Sequence, residues 1–135
     1  MRLNGKSAII TGAASGFGQG IATEFAKQGA QVMVADINYE AAELHAKTIN
    51  GISQQVDVSN NESVLNMITS ALKQFGKIDI LVNNAGIHMD NILLRMKTDE
   101  WQRVLDVNLN GPFYLTRILL KDMIKRKNGR IINIS

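Results

Sequence analysis

The chain has 135 residues, of which 45% are hydrophobic and 20% are charged, and it contains one proline and no cysteine. This size and composition predict one globular domain, exclude disulfides and thiolate metal sites, and fit a cytoplasmic location. The net charge of +3 gives little reason to expect a nucleic-acid partner, and the lack of a run of 18 apolar residues argues against a membrane span.

Short apolar runs alternate with amphipathic stretches along the whole chain, which is the pattern of parallel strands joined by helices. Strands are predicted at 7–11, 31–35, 53–58, 78–83 and 130–135. Helices are predicted from about 16 to 28, over 38–49, over 59–76 and, as one long helix, from Thr98 onward. Strands with few charges imply a sheet that is buried on both faces and wound by right-handed crossovers. The predicted fold class is therefore α/β, a doubly wound parallel sheet of the Rossmann type.

Several helix ends carry residues suited to capping. Gly29 and Gly76 suit left-handed C-terminal caps. Ser59 or Asn60 is the candidate N-cap of the third helix, and Thr98 is that of the fourth. One stripe of the third helix is predicted to pack on the sheet, and it comprises Val64, Leu65, Ile68, Ala71, Leu72 and Phe75. The basic stretch KDMIKRKNGR is interpreted as a solvated helix end rather than as a nucleic-acid patch.

The stretch TGAASGFG, residues 11–18, follows the first predicted strand and opens the first helix. Gly12 can turn the chain tightly, and Gly16 and Gly18 remove side chains where the backbone must approach a ligand. The start of the helix offers free N–H groups to a phosphate. No lysine follows as a P-loop requires, so a nucleoside triphosphate is not expected. The alternative interpretation is a tight strand-to-helix turn without a ligand.

Asp36 ends the second strand. Its separation from the glycine loop is close to the roughly 20 residues expected for a carboxylate that binds the adenosine ribose. A 2′-phosphate about 4 Å from this carboxylate would be repelled by about 4 kcal/mol at an effective dielectric near 20, or roughly a thousandfold in affinity. Asp36 therefore predicts NAD(H) rather than NADP(H). A turn former at the end of the strand is the alternative.

The stretch VNNAG, residues 82–86, leaves the fourth strand, which should lie beside the first where the strand order reverses. Ligands bind at that crevice in open α/β sheets. The asparagine side chains can satisfy backbone groups of the diverging strands, while Ala85 and Gly86 leave room for a ligand.

Together these motifs resemble the N-terminal part of a short-chain dehydrogenase/reductase. TGAASGFG is similar to the family's TGxxxGxG, VNNAG to its NNAG, and Asn108 in VLDVNLNGPF to the Asn of its catalytic tetrad. Within the family, residues 84–113 and the closing GRIINIS resemble beta-ketoacyl acyl-carrier-protein reductases most. Ser15 stands where many of these NADPH-dependent reductases have a basic residue.

The resemblance implies hydride transfer between a nicotinamide and a small alcohol or ketone substrate, with Tyr and Lys for proton transfer and Ser to orient the substrate oxygen. Ser135 resembles either that catalytic serine or its neighbour, and Asn108 the residue that distorts the helix and holds a water linked to the lysine. A homotetramer is also implied, with the long fourth helix in the interface. The implied cofactor contacts are Gly12, Ser15, Gly16, Phe17, Gly18, Asp36, Ile37, Asp57, Val58, Asn84, Ala85 and Gly86.

Two functions remain open at this point. The first is an NAD(P)-dependent dehydrogenase in which residues 1–135 form the NAD-binding part. In this case the sheet is truncated after its fifth strand, and we expect further residues there because a sheet that ended at this strand would expose an unpaired edge. The second is a non-catalytic dinucleotide-binding fragment without the Ser, Tyr and Lys. A methyl-donor-binding protein is a third candidate, but it does not account for NNAG or Asn108. No metal site is predicted, because His45 and His88 have no second ligand at metal spacing.

Overall fold

The computed structural model describes residues 1–135. The five strands are β1 (Ser7–Thr11), β2 (Gln31–Asp36), β3 (Ile52–Gln55), β4 (Ile80–Asn83) and β5 (Arg130–Asn133). The five α-helices are α1 (Gly16–Lys27), α2 (Tyr39–Thr48), α3 (Asn61–Phe75), α4 (Thr98–Leu105) and α5 (Gly111–Arg126). A 3-10 turn (Leu93–Arg95) precedes α4, and a π-helical turn (Asp106–Asn110) joins α4 to α5. None of the helices has the length and apolar character needed to cross a membrane.

The strands form one parallel sheet in the order β3-β2-β1-β4-β5. The order reverses between β1 and β4, where Ile9 pairs with Met33 on one side and with Leu81 on the other. The carboxyl ends of β1 and β4 therefore border the crevice at which such sheets bind ligands. The predicted doubly wound α/β fold is confirmed.

Each face of the three inner strands, β2, β1 and β4, is buried under its own pair of helices, whereas β5 is largely exposed. Ile9, Met33 and Leu81 pack with the apolar side chains of α3 and α5. Ile10 and Val34 point the other way, because successive residues of a strand alternate between faces, and they pack against α1 and α2. Helix contacts on this second face come largely from alanines, which lets α1 and α2 lie close to the strands, and these are Ala22, Ala42 and Ala46.

The third predicted strand is shorter in the structure than in the sequence analysis. β3 ends at Gln55 instead of residue 58, because Asp57 forms a turn in which its Oδ1 accepts hydrogen bonds from the amide and the hydroxyl of Ser59. Asp57 and Val58 therefore lie in the loop after β3. The fourth and fifth predicted strands are shorter as well, since β4 begins at Ile80 and β5 ends at Asn133.

The predicted caps are mostly confirmed. Gly29 and Gly76 have the left-handed φ values of +92° and +81° that end their helices, and Asn60 accepts a hydrogen bond from the amide of Ser63. Thr98 as an N-cap is wrong, because Lys97 in extended conformation precedes the helix and Thr98 is its first helical residue.

The buried stripe of α3 is rotated from the predicted one. Val64, Ile68 and Ala71 are buried as expected, but Leu65 and Leu72 are exposed. Met67 takes their place on the sheet-facing side, since residues 64, 67, 68 and 71 follow the i, i+3, i+4, i+7 spacing of one narrow face.

A buried carboxylate joins the amino ends of β1 and β4 to the end of α5. The side chain of Asp79 is 2% exposed, and its oxygens lie 2.9 Å from Lys77 Nζ and 3.2 Å from Arg126 Nη1. It also accepts a hydrogen bond from the amide of Ser7, and Arg126 donates to the carbonyl of Ile78. Burial raises the pKa of Asp79, but the hydrogen bonds from Lys77 and Ser7, the charge of Lys77 and the bond from Arg126 together hold the pKa below its ordinary value.

The Asp79 cluster is expected to stabilise the fold above its titration range. A folded-state pKa below the unfolded value of about 3.9 adds stability that is present above that pH and is lost as the pH falls through the folded pKa. We expect Asp79→Asn to lower the free energy of unfolding at neutral pH by about 2–4 kcal/mol, because Arg126 and Lys77 lose a buried anionic partner. The measurement is denaturant unfolding at neutral pH and at several acidic pH values.

The matched control for this prediction is Asp122→Asn, which removes an Arg126 partner that is 51% exposed. It should cost less than about 1 kcal/mol, because exposed ion pairs contribute little. An equal loss in the two variants, or an unchanged acid profile in Asp79→Asn, would contradict a special role for the buried carboxylate.

Candidate functional site

A cleft of about 320 Å³ opens at the carboxyl ends of the strands. The glycine loop and the end of β4 line it with Gly12, Ser15, Asn84, Ala85 and Gly86. The end of β2 and the loop after β3 line it with Asp36, Ile37, Asp57 and Val58. The structure thus brings nine of the sequence-predicted residues, from four separate stretches of the chain, to one cleft at the reversal of strand order.

Two glycines allow the glycine loop to pack directly on the end of β4. Gly12 has a φ of +64°, and a Cβ added to it would lie 2.9 Å from the Cα of Ala85. A Cβ at Gly18 would overlap the carbonyl oxygen of Gly12 and the side-chain nitrogen of Asn84. A side chain at either position would therefore push the loop away from the end of β4.

The start of α1 faces solvent next to the contact between the glycine loop and β4. Ser15 is the N-cap residue in extended conformation, and its side chain makes no capping hydrogen bond. The exposed Gly16 and Phe17 follow in the first turn without lining the cleft, and Phe17 is 83% exposed. The uncapped amides and the positive end of the helix dipole suit an anionic group such as a phosphate.

Thr11 and Asn84 join the glycine loop to the VNNAG stretch. The hydroxyl oxygen of Thr11 accepts hydrogen bonds from the amides of Asn84 and Ala85, at 3.1 Å and 3.0 Å. The side-chain nitrogen of Asn84 donates to the carbonyls of Thr11 and Gly12, both at 3.1 Å. These four bonds join the glycine loop to the VNNAG stretch, whereas the buried side-chain oxygen of Asn83 in the same stretch has no partner.

Asp36 forms the turn at the end of β2, holds the glycine loop and lines the cleft. Its Oδ1 accepts from the amide of Asn38, which is the turn at the end of the strand, and its Oδ2 accepts from the amide of Ala14 in the glycine loop. Each carboxylate oxygen has a second lone pair, and the side chain lines the cleft. Asp36 can hold the loop and still accept hydrogen bonds from ligand hydroxyls.

Asn108 lies in the π-helical turn and contacts the cleft through the backbone of Ile87. Its side-chain oxygen accepts from the Ile87 amide and its side-chain nitrogen donates to the Ile87 carbonyl, both at 2.8 Å. π-turns within α-helices are frequent at functional sites. Asn108 itself does not line the cleft, so in this arrangement it orients a residue of the wall.

Ser135 lies apart from the cleft. It is exposed, two residues beyond the end of β5, and it is absent from the cleft lining. The last ordered backbone contact before it is the hydrogen bond from the amide of Ile134 to the carbonyl of Asn83.

Sequence reasoning missed four residues that line the cleft, which are Val56, Ile87, Arg103 and Val107. Ile87 directly follows the VNNAG stretch, and Val107 precedes Asn108, so adjacency to a motif could have indicated them. Arg103 lies four residues before Val107, on the same helical face. This spacing indicates that Arg103 lines the cleft only if Val107 is already known to face it.

Comparison with known proteins gives one family and a consistent set of relatives. The family model described as short chain dehydrogenase matches residues 6–135. A 3-oxoacyl-acyl-carrier-protein reductase of Thermotoga maritima is 41% identical over 140 residues, which cover 100% of this chain and 57% of that protein. The reductase of the same name from Vibrio cholerae is 40% identical, with 99% of this chain and 56% of that protein covered.

A solved structure is also closely similar. The 3-ketoacyl-acyl-carrier-protein reductase of Brucella melitensis, complexed with NADH, matches with a TM-score of 0.93 and 38% identity, covering 98% of this chain and 58% of that one. The chain thus spans somewhat more than half of the length of the relatives that it matches.

Gly18 is expected to tolerate no side chain. We expect Gly18→Ala to lower the free energy of unfolding by about 1–3 kcal/mol, because the added methyl group overlaps the Gly12 carbonyl and the Asn84 amide. Gly20→Ala is the matched control two residues along the same helix, where a Cβ meets open space, and it should leave the stability unchanged or raise it by up to about 1 kcal/mol. Thermal and denaturant unfolding would measure both, and equal effects would contradict the close-packing argument.

Proposed function

Because the chain belongs to the short-chain dehydrogenase family, we propose that the protein is an NAD(H)-dependent oxidoreductase that transfers hydride between the nicotinamide and an alcohol or ketone carbon. The observation that supports this most directly is the cleft in which the glycine loop, the VNNAG stretch and the Asp36 carboxylate meet. Family membership supports the coarser statement, a nicotinamide-dependent oxidoreductase. NAD and the substrate class are our proposals.

The residues of this cleft fit a dinucleotide. The exposed, uncapped start of α1, where a Cβ at Gly16 would meet open space, leaves room for a pyrophosphate, and Asp36 retains lone pairs for ribose hydroxyls. When bound, the nicotinamide supplies or accepts the hydride. The chain's own part is to bind and orient: Thr11 and Asn84 fix the loop, and Asn108 holds the backbone of Ile87 at the wall of the cleft.

Proton transfer needs a group that the cleft of residues 1–135 does not provide. No Tyr or Lys lines it, and Tyr and Lys are the groups that the family resemblance implies. We therefore propose that they belong to the part of the relatives' length that this chain does not span.

A 3-oxoacyl or 3-hydroxyacyl thioester is the proposed substrate. Its support is that the relatives at about 40% identity are named 3-oxoacyl-acyl-carrier-protein reductases. The test is the change of nicotinamide absorbance when the intact protein is mixed with NADH and a short 3-oxoacyl thioester. Turnover of simple ketones but not of the thioester would reject this substrate class.

The second candidate function is dinucleotide binding without catalysis. It is favoured by one observation, that neither Ser135 nor any Tyr or Lys lines the cleft. Tight NADH binding by a protein that turns over no alcohol or ketone would favour this candidate over the enzyme.

We further propose that the protein forms a homo-oligomer through α5 and the π-helical turn that precedes it. Several large apolar side chains of this region are exposed in the single chain, namely Leu109, Phe113, Leu120 and Ile124. Apolar surface of this kind is typical of subunit interfaces.

Asp36 is expected to set the preference for NADH. We expect the intact protein to bind NADH more tightly than NADPH by roughly a thousandfold, because a 2′-phosphate near this carboxylate would be repelled. Asp36→Asn keeps the shape and removes the charge, so it should reduce that ratio more than about tenfold. Fluorescence titration with both cofactors measures the ratio.

Asp122→Asn is the control for this titration, since it removes one negative charge at the far end of α5. It should leave the ratio of the two dissociation constants unchanged. Equal affinity of the unmodified protein for NADH and NADPH would contradict the proposed cofactor preference.

A further inference from the structure

Arg103 is the one cationic side chain that lines the cleft. It projects from α4, one helical turn before Val107, which lines the same wall. Its guanidinium forms no ion pair with any carboxylate of the chain. Its charge and its planar face are therefore free to meet a ligand.

Arg103 is tethered to the loop that follows β3. Its Nη1 lies 3.5 Å from the hydroxyl oxygen of Ser59. The hydroxyl proton of Ser59 is already donated to Asp57 Oδ1, at 2.6 Å, so the serine oxygen can only accept from the guanidinium. The resulting chain of hydrogen bonds, from Arg103 through Ser59 to Asp57, crosses from α4 to the loop after β3.

This tether places Arg103 at one end of the cleft. A dinucleotide whose pyrophosphate lies at the glycine loop and whose ribose lies at Asp36 runs across the sheet from β1 to β2. With the strand order β3-β2-β1, the next group beyond the ribose lies toward β3. The apolar lining residues that follow β2 and β3 in the chain are Ile37, Val56 and Val58. Arg103 also lines the cleft and contacts Ser59 of the loop after β3, and this combination suits a flat aromatic base.

The loop after β3 packs closely on its neighbours at this end. Val58 is buried and packs against Gly111, where an added Cβ would lie 2.9 Å from Val58 Cγ2. The Asp57 amide is bonded to the hydroxyl oxygen of Ser63 at 2.9 Å. The loop that holds Ser59 is thus supported by contacts of its own with α3 and α5.

We propose that Arg103 binds the adenine ring of the cofactor by placing its planar guanidinium on the π face of the base, opposite the apolar side chains at the β3 end. This inference rests on the proposed function, because it assumes a dinucleotide in the cleft. A guanidinium over an aromatic ring contributes about 0.5–2 kcal/mol, depending on how far it is desolvated, which corresponds to roughly 2-fold to 30-fold in affinity. The contact is made by adenine, so it serves AMP and NADH alike.

The test is titration of the intact protein with NADH, NADPH and AMP for the unmodified chain, Arg103→Ala and Arg103→Lys. Arg103→Ala is expected to weaken NADH and AMP by a similar factor, about 5-fold to 20-fold. Arg103→Lys keeps the charge but not the plane, and it should recover only part of this loss. Arg2→Ala, which removes an exposed arginine at the opposite end of the sheet, is the control. It should leave the affinities for NADH and for AMP unchanged.

Four results would overturn the proposal. Unchanged affinities in Arg103→Ala would show that Arg103 makes no contact with the cofactor. A loss for NADH without a loss for AMP would move the contact away from adenine, and a larger loss for NADPH than for NADH would assign Arg103 to the 2′-phosphate. Full recovery of the NADH and AMP affinities by Arg103→Lys would show that the positive charge of Arg103 acts without stacking of its guanidinium plane. If the unmodified protein binds neither NADH nor AMP, the proposed function fails as well, which separates the two failures.

Discussion

The cleft depends on the close contact between the glycine loop and the end of β4. Gly18 without a side chain lies against the Gly12 carbonyl and the Asn84 side chain, and Thr11 accepts two hydrogen bonds from the VNNAG backbone. These contacts hold together two stretches that are about half the chain apart in sequence. Because the loop is fixed to β4, the start of α1 has a defined position relative to Asp36, which also binds the loop through the amide of Ala14.

The opposite wall of the cleft depends on the helical segment from Thr98 to Arg126. Its π-helical turn places Asn108 on the backbone of Ile87, and Gly111 just beyond the turn lets the loop after β3 come close enough for Val58 to pack there. The π-helical turn and the first residue of α5 thus contact two parts of the cleft wall, the backbone of Ile87 and the loop after β3. The relatives named as reductases and the NADH complex of similar fold are in keeping with a site of this design.

Much of the fold could be predicted because its signals are local. Short apolar runs indicated all five strands, Gly29 and Gly76 indicated helix ends, and the motifs indicated the reversal between β1 and β4. One error arose where a side chain competes with regular structure, and another where the rotation of a regular helix was misjudged. Asp57 turns the chain with its own carboxylate and ends β3 early, and Leu65 was assigned to the buried stripe of α3 although Met67 faces the sheet.

The sequence by itself determined the elements, the order of the motifs and the family, since glycine spacing, apolar periodicity and the NNAG stretch are properties of neighbouring residues. Only the tertiary structure decided which residues line the cleft and which side of it each residue occupies. In the sequence, nothing distinguishes Arg103 from other charged residues of a surface helix. It reaches the cleft and Ser59 because α4 lies beside the loop after β3. The physical reason is that contacts between distant segments depend on the rotation of a helix and the path of a loop, which no local pattern records.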